Sequence, residues 1–518
     1  MRFIIAYDLG PGGTKTSLFD EEGNSMGNSF YPCVTEFPRS GWHEQRPEAW
    51  WESVVLSTHE VLVKSGVGAD GIAALAVSGH SLGTVPVSQS GELLIDHVPI
   101  WSDARADREA AAFFEEIDEE RWYLDTGAGF PAPLYTLFKI MWYRNHMPEL
   151  YRRTARFIGT KDYINWRLTG RLCTDRSYAS GSGIWSLTGE CYSSGYGEAA
   201  GIDLEKLPEV LPSTHVIGTL LPGVARELGL TPRVKVCAGG VDNACMALGA
   251  GCTGEGEAYT SLGTSSWIAV SSHKPIVNAQ KRPYVFAHCI PSMYVSATAI
   301  FSAGNSLRWV RDTVCPDLVE AGGRGGSECY QEMDRLAAAS PAGANRLIFN
   351  PSLAGGSSLD RSAKIRGCFA GLDLRHTRGD LIRATLEGVC LNLRLAMDVL
   401  SRYVPLSKSM LLVGGGGKSP LWRQLFASIY EKEIVETQVG QDAGSLGAAA
   451  VAAVGAGLWE DFSPLKRLHR ERSRVLPNPA DVALYRKMLP IFIRVSDFQS
   501  ELGELWEGTV QEIQPGTE

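Results

Sequence analysis

Two features are missing that would have redirected the reading: paired cysteines and runs of basic residues. Eleven cysteines are scattered from Cys33 to Cys390, and no two stand in CxxC spacing. Zinc-knuckle and dithiol redox readings are therefore excluded. No Lys/Arg cluster forms a basic arm, and 58 acidic against 49 basic residues leave a net charge of −9, so a nucleic-acid partner is not expected. Strongly apolar runs are also scarce. The longest uncharged stretch, Ala443 to Trp459, is mostly Ala and Gly. It suits a close-packed helix better than a membrane span, which needs about 20 strongly apolar residues. The opening MRFIIAYDLG is too short for a signal peptide. The expectation is a reduced, cytoplasmic protein that engages no membrane.

What is present is an ordinary globular composition, 44% apolar and 21% charged over 518 residues, long enough for two or more domains. Strand and helix patterns alternate, which predicts an α/β protein. Phe3–Tyr7 and Thr16–Phe19 read as strands around a Gly-rich turn. Ala258–Thr260 and Trp267–Val270 do the same around Ser261–Ser266. Two such hairpins half a chain apart suggest two domains of similar design. The boundary is placed in Gly249–Gly256, giving domains 1–250 and 251–475 and a helical extension, 476–518, in which no function is read. Ile382, Leu386, Val389, Leu393 and Leu400 predict a buried-face helix over Asp380–Tyr403. Met410–Val413 reads as a strand and Leu421–Tyr430 as a helix.

Several loops could carry chemistry. In Asp8-Leu9-Gly10-Pro11-Gly12-Gly13-Thr14-Lys15, glycines let backbone N–H groups approach a phosphate, and Asp8 could hold a cation against it. A hairpin turn with an internally bonded Asp is an equal reading. The Ser261–Ser266 turn is chemically similar. Gly414–Gly417, between strand and helix, leaves room for a flat ring. Asp242, in Gly239-Gly240-Val241-Asp242-Asn243, is either a helix cap or a general base, and the stretch alone favours the cap. Trp101-Ser102-Asp103-Ala104-Arg105 could bind a polyhydroxy compound or form a plain ion pair, and His80 stands at the end of the strand Ile72–Val77.

In this order the pieces resemble the FGGY family of carbohydrate kinases. Gly367-Cys368-Phe369-Ala370-Gly371-Leu372, seven residues, then Asp380-Leu381-Ile382-Arg383-Ala384-Thr385-Leu386-Glu387 fit the family's C-terminal signature. Thr136-Leu137-Phe138-Lys139-Ile140-Met141-Trp142 nearly match the N-terminal one, with Leu134 and Tyr143 off pattern. Gly41–Gln45, Trp101–Arg105, Lys161-Asp162-Tyr163, Thr174-Asp175 and Gly415–Trp422 resemble the xylulokinase branch in particular.

The resemblance implies two actin-like (ribonuclease H-like) domains flanking a deep cleft, with ATP and Mg²⁺ as cofactors and phosphoryl transfer to a sugar or polyol hydroxyl. It makes Asp242 the catalytic base, reversing the cap preference, and Asp8 the metal-associated residue. Gly12, Gly13, Thr14, Lys15, Gly263, Thr264, Ser265, Gly304, Arg308, Gly416 and Gly417 fall on ATP-binding positions. His80, Ser81, Leu82, Trp101, Asp103, Asp242 and Asn243 fall on substrate positions. Two departures stand out. Pro11 and Gly12 replace the usual hydroxyl residues, and His80-Ser81-Leu82 stands where xylulokinases have Gln-Met-His. Glycerol kinase fits worse, because its Arg-Glu pair is absent from that loop and Leu134 replaces its substrate-contacting Tyr. The expected partners are ATP and a small ketose such as xylulose, or a polyol or sugar such as erythritol, ribulose or glycerol in the alternative. A homodimer is allowed. An ATP-driven conformational protein like actin or Hsp70, and a non-catalytic sugar sensor, are the rival readings.

Overall fold

The computed structural model describes residues 1–300, 302–322 and 327–513. The chain forms two compact units, Met1–Glu255 with Ser271–Ser296 and Asp442–Arg470, and Gly256–Val270 with Ala297–Gln441 and Glu471–Glu518. The two-domain α/β expectation holds, and the first compact unit also takes in two segments from beyond residue 250. The reason lies in the Ala/Gly run. Helix Ala443–Gly455 is buried from Ala443 to Ala453 and packs against helix Asp242–Gly249 in the first unit. A Cβ on Gly447 would lie 1.9 Å from the Cys245 carbonyl oxygen, so only glycine permits this approach.

The first unit is built on strands β1 (Phe3–Gly10), β2 (Gly13–Asp20), β3 (Ser25–Pro32), β4 (Ile72–Gly79), β5 (Val216–Thr219) and β6 (Lys235–Cys237), in the order β5-β6-β4-β1-β2-β3. A short strand β7 (Gly240–Val241) continues parallel to the end of β4. β1 pairs antiparallel with β2 and parallel with β4; β4 and β6 are parallel, and β5 is antiparallel to β6. Alternation along β2 sends Thr14 and Thr16 to helix Pro47–Ser65, where they bond Ser53 and Ser57 at 2.6 Å each.

A second sheet repeats the plan. Its strands are β8 (Ala258–Leu262), β9 (Ser266–Ser272), β10 (Tyr294–Ile300), β11 (Ser409–Val413), β12 (Glu433–Thr437) and β13 (Glu471–Val475), in the order β10-β9-β8-β11-β12-β13. β8 is antiparallel to β9 and parallel to β11, β11 is parallel to β12, and β13 is antiparallel to β12. Strand for strand, the central pattern matches that of the first unit.

Helix Arg378–Ser401 is the buried helix expected over Asp380–Tyr403. The segment read as an extension after 475 is part of the second unit. Helix Pro479–Ile513 places the Tyr485 hydroxyl 2.7 Å from Glu387 of helix Arg378–Ser401, which Arg383 also pairs. Residues 514–518 of that expected extension lie outside the described residues.

Candidate active site

β1 and β2 are joined by Pro11-Gly12 alone, with Gly10 opposite Gly13 and Asp8 opposite Lys15. That register puts the carboxylate and the ammonium on one side of the hairpin. Asp8 accepts a hydrogen bond from Ser78 Oγ at 2.9 Å, and Lys15 pairs with Asp442 just before helix Ala443–Gly455. Burial pushes the Asp8 carboxyl up, Ser78 and Lys15 pull it back, and Asp442 raises it again. The two loop glycines differ. A Cβ on Gly13 would meet the Tyr31 carbonyl at 2.2 Å, so this glycine is required by β3, whereas one on Gly12 would meet nothing within 4 Å. The loop is fixed from behind, with Gln45 Nε2 donating to the Pro11 carbonyl (2.6 Å) and the Cys33 N–H to that of Gly12 (3.1 Å). The Thr14 side chain is buried and spent on Ser53, so it turns away from the loop.

Asp242 settles the cap question by position. The N-cap of its helix is Val241, and Asp242 is the first helical residue. Its Oδ1 accepts from the backbone N–H and the side-chain amide of Asn243, at 2.8 and 2.9 Å, and from no N–H deeper in the helix. It does not cap. Burial, then the nearby charge of Asp8, pushes its carboxyl up to about 7. A general base is most effective with a pKa near working pH. Val241 N–H donates to Ser177 Oγ (2.8 Å), which donates in turn to Asp175 (2.5 Å). Lys161 is fully buried, pairs with Asp162 and Asp175, and donates to the Ala238 carbonyl at 3.1 Å. Residues in Lys161–Asp162 and Thr174–Asp175 thus brace the segment that presents Asp242.

The loop after β4 is strained. Leu82 is buried at φ +60°, and the Gly83 N–H bonds back to the Ser81 carbonyl at 2.8 Å, a γ-turn in a conformation that side-chain-bearing residues seldom adopt. Such strain persists where the surroundings over-determine it. Lys139, itself fully buried, supplies part of that constraint by donating to the carbonyls of Leu82 (3.0 Å) and Ile100 (2.7 Å). It joins the two loops expected to hold sugar, and burial brings its pKa down to about 7. In the sequence this lysine stands out only as one position of a longer motif.

His80 is 1% exposed, and among the described residues neither ring nitrogen has a well-formed hydrogen bond. Burial, then Lys139, pushes its pKa down to about 3, so the ring is neutral. Trp50 packs edge-on at 5.7 Å. Ser81 is buried beside it, and Trp101 is half-buried. Asp103 meets a different fate. It is wholly buried, accepts from His43 N–H (2.6 Å), and is held bidentately by Arg105, which also pairs with Glu44 and lies 3.9 Å from the Trp42 ring centre. Its ion-pair reading is the one observed, and no face of it is left for a sugar.

In the second unit, β8 and β9 run further into the expected turn than the sequence suggested, so Ser261 and Ser266 are strand residues and the loop is Gly263–Ser265. A cavity of about 590 Å³ is lined by Gly263, Thr264, Gly304, Arg308 and Gly416, with Tyr330, Asp334, Lys418 and Trp422 among its other wall residues. The Gly304 N–H donates to the Gly263 carbonyl at 2.9 Å, tying helix Gly304–Val314 to the loop. Ser265 and Gly417, assigned with these residues, are not among its lining.

Two family models divide the chain, the N-terminal domain of the FGGY carbohydrate kinases over residues 3–249 and the C-terminal domain over 258–456. The chain belongs to the FGGY family of carbohydrate kinases. It is 28% identical over 505 residues to xylulose kinase from Bacillus subtilis, spanning 97% of this chain and 98% of that one. It is 27% identical to a gluconokinase from Bacillus licheniformis, spanning 95% of each. The structure superposes on ligand-bound xylulose kinase from Lactobacillus acidophilus with a TM-score of 0.86 at 26% identity, covering 96% of this chain and 98% of that one. The FGGY C-terminal signature has a structural role here. Asp380 forms a capping box with Thr377 and also accepts from Ser340 and Asn345, while Arg383 pairs with Glu387. No helix of the described residues is long and apolar enough to cross a membrane.

Proposed function

We propose that this FGGY kinase transfers the terminal phosphoryl group of ATP to a hydroxyl of a small neutral ketose or polyol, with Asp242 as the base. The observation that carries the reading is the Asp242 carboxylate: held at a helix start without capping it, and poised near neutral pH by burial and by Asp8. As the sugar hydroxyl attacks phosphorus, Asp242 takes its proton. Gly12, Gly13 and Lys15 would contact phosphate through backbone and ammonium groups. The cavity at Thr264, Gly304, Arg308 and Gly416 would take the nucleotide. Ser265, Gly417 and the Thr14 backbone are proposed with them on the family resemblance alone.

Mg²⁺ fits the donor chemistry present. No group of three or more metal-ligating side chains converges among the described residues, but Mg²⁺ characteristically uses one or two carboxylates with substrate phosphates. Asp8, with its buried carboxyl, would hold it directly or through water, with Asp442 adjacent. When bound, the ion neutralises phosphate charge. Lys15 and the loop N–H groups position that phosphate.

The acceptor's charge follows from its surroundings. His80 is neutral, Arg105 is taken by Asp103 and Glu44, and Lys139 by two carbonyls. These loops thus favour an uncharged sugar over an aldonate such as gluconate. The neutral His80 ring and the apolar Leu82 differ from the Gln and His of xylulokinases, so D-xylulose is a secondary substrate and another small ketose or polyol is preferred. Cytoplasmic action on a free sugar accords with this reading. ADP release from Mg-ATP tests it, with parallel panels of ketoses, alditols and aldonates. Turnover with neutral acceptors is expected. A preference for aldonates would overturn the charge argument, and the absence of sugar-dependent turnover would overturn the kinase reading.

A further inference from the structure

The second unit holds another cavity, of about 960 Å³, that shares no residue with the one at Thr264 and Arg308. Its size lies within the range of about 300–1,000 Å³ usual for small-molecule sites. Three stretches of the same unit wall it: the turn 341–346, the loop 373–376 and one face of helix Pro479–Ile513. On that face Leu484, Lys487, Met488 and Ile491 follow the i, i+3, i+4, i+7 spacing. The kinase reading uses none of these residues.

The backbone of the turn is strained. Gly343, Ala344, Asn345 and Arg346 have φ of +82°, +43°, +56° and +76°, four left-handed residues in succession, three of them with side chains. The turn is held from three sides. Gly343 N–H donates to Glu387 at 3.0 Å and Asn345 Nδ2 to Asp380 at 2.8 Å. His376 accepts the Asp373 N–H at Nδ1 (2.8 Å), which leaves Nε2 to donate to the Asn345 carbonyl at 3.2 Å. Strain maintained in this way is a mark of ligand clamps, and here it carries Arg346 to the cavity wall.

The charge on that wall is unbalanced. Arg346, Arg375 and Lys487 line it, and Asp373 is the one carboxylate among the lining residues. Asp373 is matched by Arg375 at 2.8 Å. Arg346 and Lys487 have no ion-pair partner among the described residues. The carboxylates behind the turn are engaged elsewhere, Glu387 with Arg383 and Asp380 with Thr377 and Ser340. Beneath the cations the wall is aliphatic, with Ile348, Leu484 and Met488. Gly343 packs onto it, since a Cβ there would lie 3.3 Å from both Leu484 and Met488.

A cationic rim over an aliphatic floor selects an anion carried on a flat apolar body. Inorganic phosphate would leave the floor unused. A sugar phosphate would lay hydroxyls on side chains that cannot bond them, at a desolvation cost. A nucleotide satisfies both parts: guanidinium and ammonium groups suit its phosphates, and thioether sulfur makes favourable contacts with an aromatic base. We propose that this cavity is a second nucleotide site, distinct from the one that supplies the phosphoryl group. Arg346 and Lys487 hold the phosphates, with Arg375 beside them, and the base lies over Ile348, Leu484 and Met488.

Equilibrium dialysis of the full chain against labelled ATP, without sugar, tests this by stoichiometry, with sugar-dependent ADP release as the control for folding. The wild type is expected to bind two ATP per chain. Arg346→Glu combined with Lys487→Glu should bind one, with kcat and the KM for ATP unchanged. Arg346→Ala and Lys487→Ala should each weaken the second site about tenfold, the range of one charge-assisted hydrogen bond, whereas Arg308→Ala should leave it intact. AMP should compete for the second site at least tenfold better than ribose 5-phosphate or inorganic phosphate. A single site in the wild type, or a second site indifferent to both the charge reversal and the alanine variants, would overturn the proposal. Competition by ribose 5-phosphate or inorganic phosphate as strong as that by AMP would overturn the assignment to nucleotides.

Discussion

The hairpin β1–β2 and the hairpin β8–β9 occupy equivalent places in two sheets of matching order, yet they differ in kind. In both, the first strand pairs antiparallel with the second and parallel with a later one, β4 or β11. The first carries opposed charges, Asp8 and Lys15, and has Asp442 and Asp242 close by. The second carries no ionised side chain between Ala258 and Ser272 and borders a cavity whose wall mixes aromatic, apolar and charged residues. The two hairpins thus differ in the charge they carry themselves, the second leaving charge to Arg308, Asp334 and Lys418 of the adjoining cavity wall. The difference comes from which side chains fill a shared register, not from the backbone.

The hardest test of that division is Asp242→Asn. It should lower kcat by about 10²–10⁴ while leaving the sugar KM within a few-fold, since the amide keeps size and much of the hydrogen bonding. Near-normal kcat would remove the ionic role from the first unit. Next in size is the substrate loop. His80→Gln with Leu82→His should raise kcat/KM for D-xylulose about 5- to 150-fold relative to the best wild-type substrate, the value of one or two buried hydrogen bonds regained. A wild type that already handles D-xylulose best in a broad panel would defeat it.

A charge beside the second hairpin comes third. Arg308→Ala is expected to raise the KM for ATP roughly tenfold, the range of one charge-assisted hydrogen bond, with the sugar KM unchanged. A rise in the sugar KM instead would show that the two units do not divide the substrates. The smallest effect is on pH. A base must be deprotonated to act, so kcat/KM should climb as pH rises through about 7 and fall below it. Because Asp8 raises the Asp242 pKa, Asp8→Asn should move the midpoint of its residual activity to lower pH. A midpoint that stays put or moves up would mean the two carboxylates do not interact.

Much of the fold is legible along the chain itself. The strands read at Phe3–Tyr7, Ile72–Val77 and Met410–Val413 are strands, and the helix at Leu421–Tyr430 runs Pro420–Tyr430. These are buried apolar runs bounded by turn residues, the pattern that local periodicity reports best. The site is legible only in part. Asp242 and Asp8 stand out through motif order, whereas Asp442 lies 427 residues from Lys15 and carries no signal of its own. Asp103 looks like a sugar ligand in the sequence because an Asp–Arg pair two apart reads the same exposed or buried. The roles of Lys139 and Lys161 are invisible there because each donates to backbone carbonyls of distant loops, and that of Asp175 because it acts through Ser177 and Lys161.

By itself, the sequence determined the two similar α/β units, the FGGY motifs in their order, and the charge and cysteine pattern that excluded other classes. Those properties are local: periodicity, turn chemistry and composition survive reading along one dimension. Only the tertiary structure decided that helix Ala443–Gly455 belongs to the first unit, that Thr14 and Asp103 turn inward, that Asp242 does not cap its helix, and that His80 is left neutral with neither nitrogen in a well-formed hydrogen bond among the described residues. Each of these depends on burial and on partners brought from far along the chain. A carboxylate or an imidazole has no fixed charge or role until the neighbours that desolvate or pair it are in place.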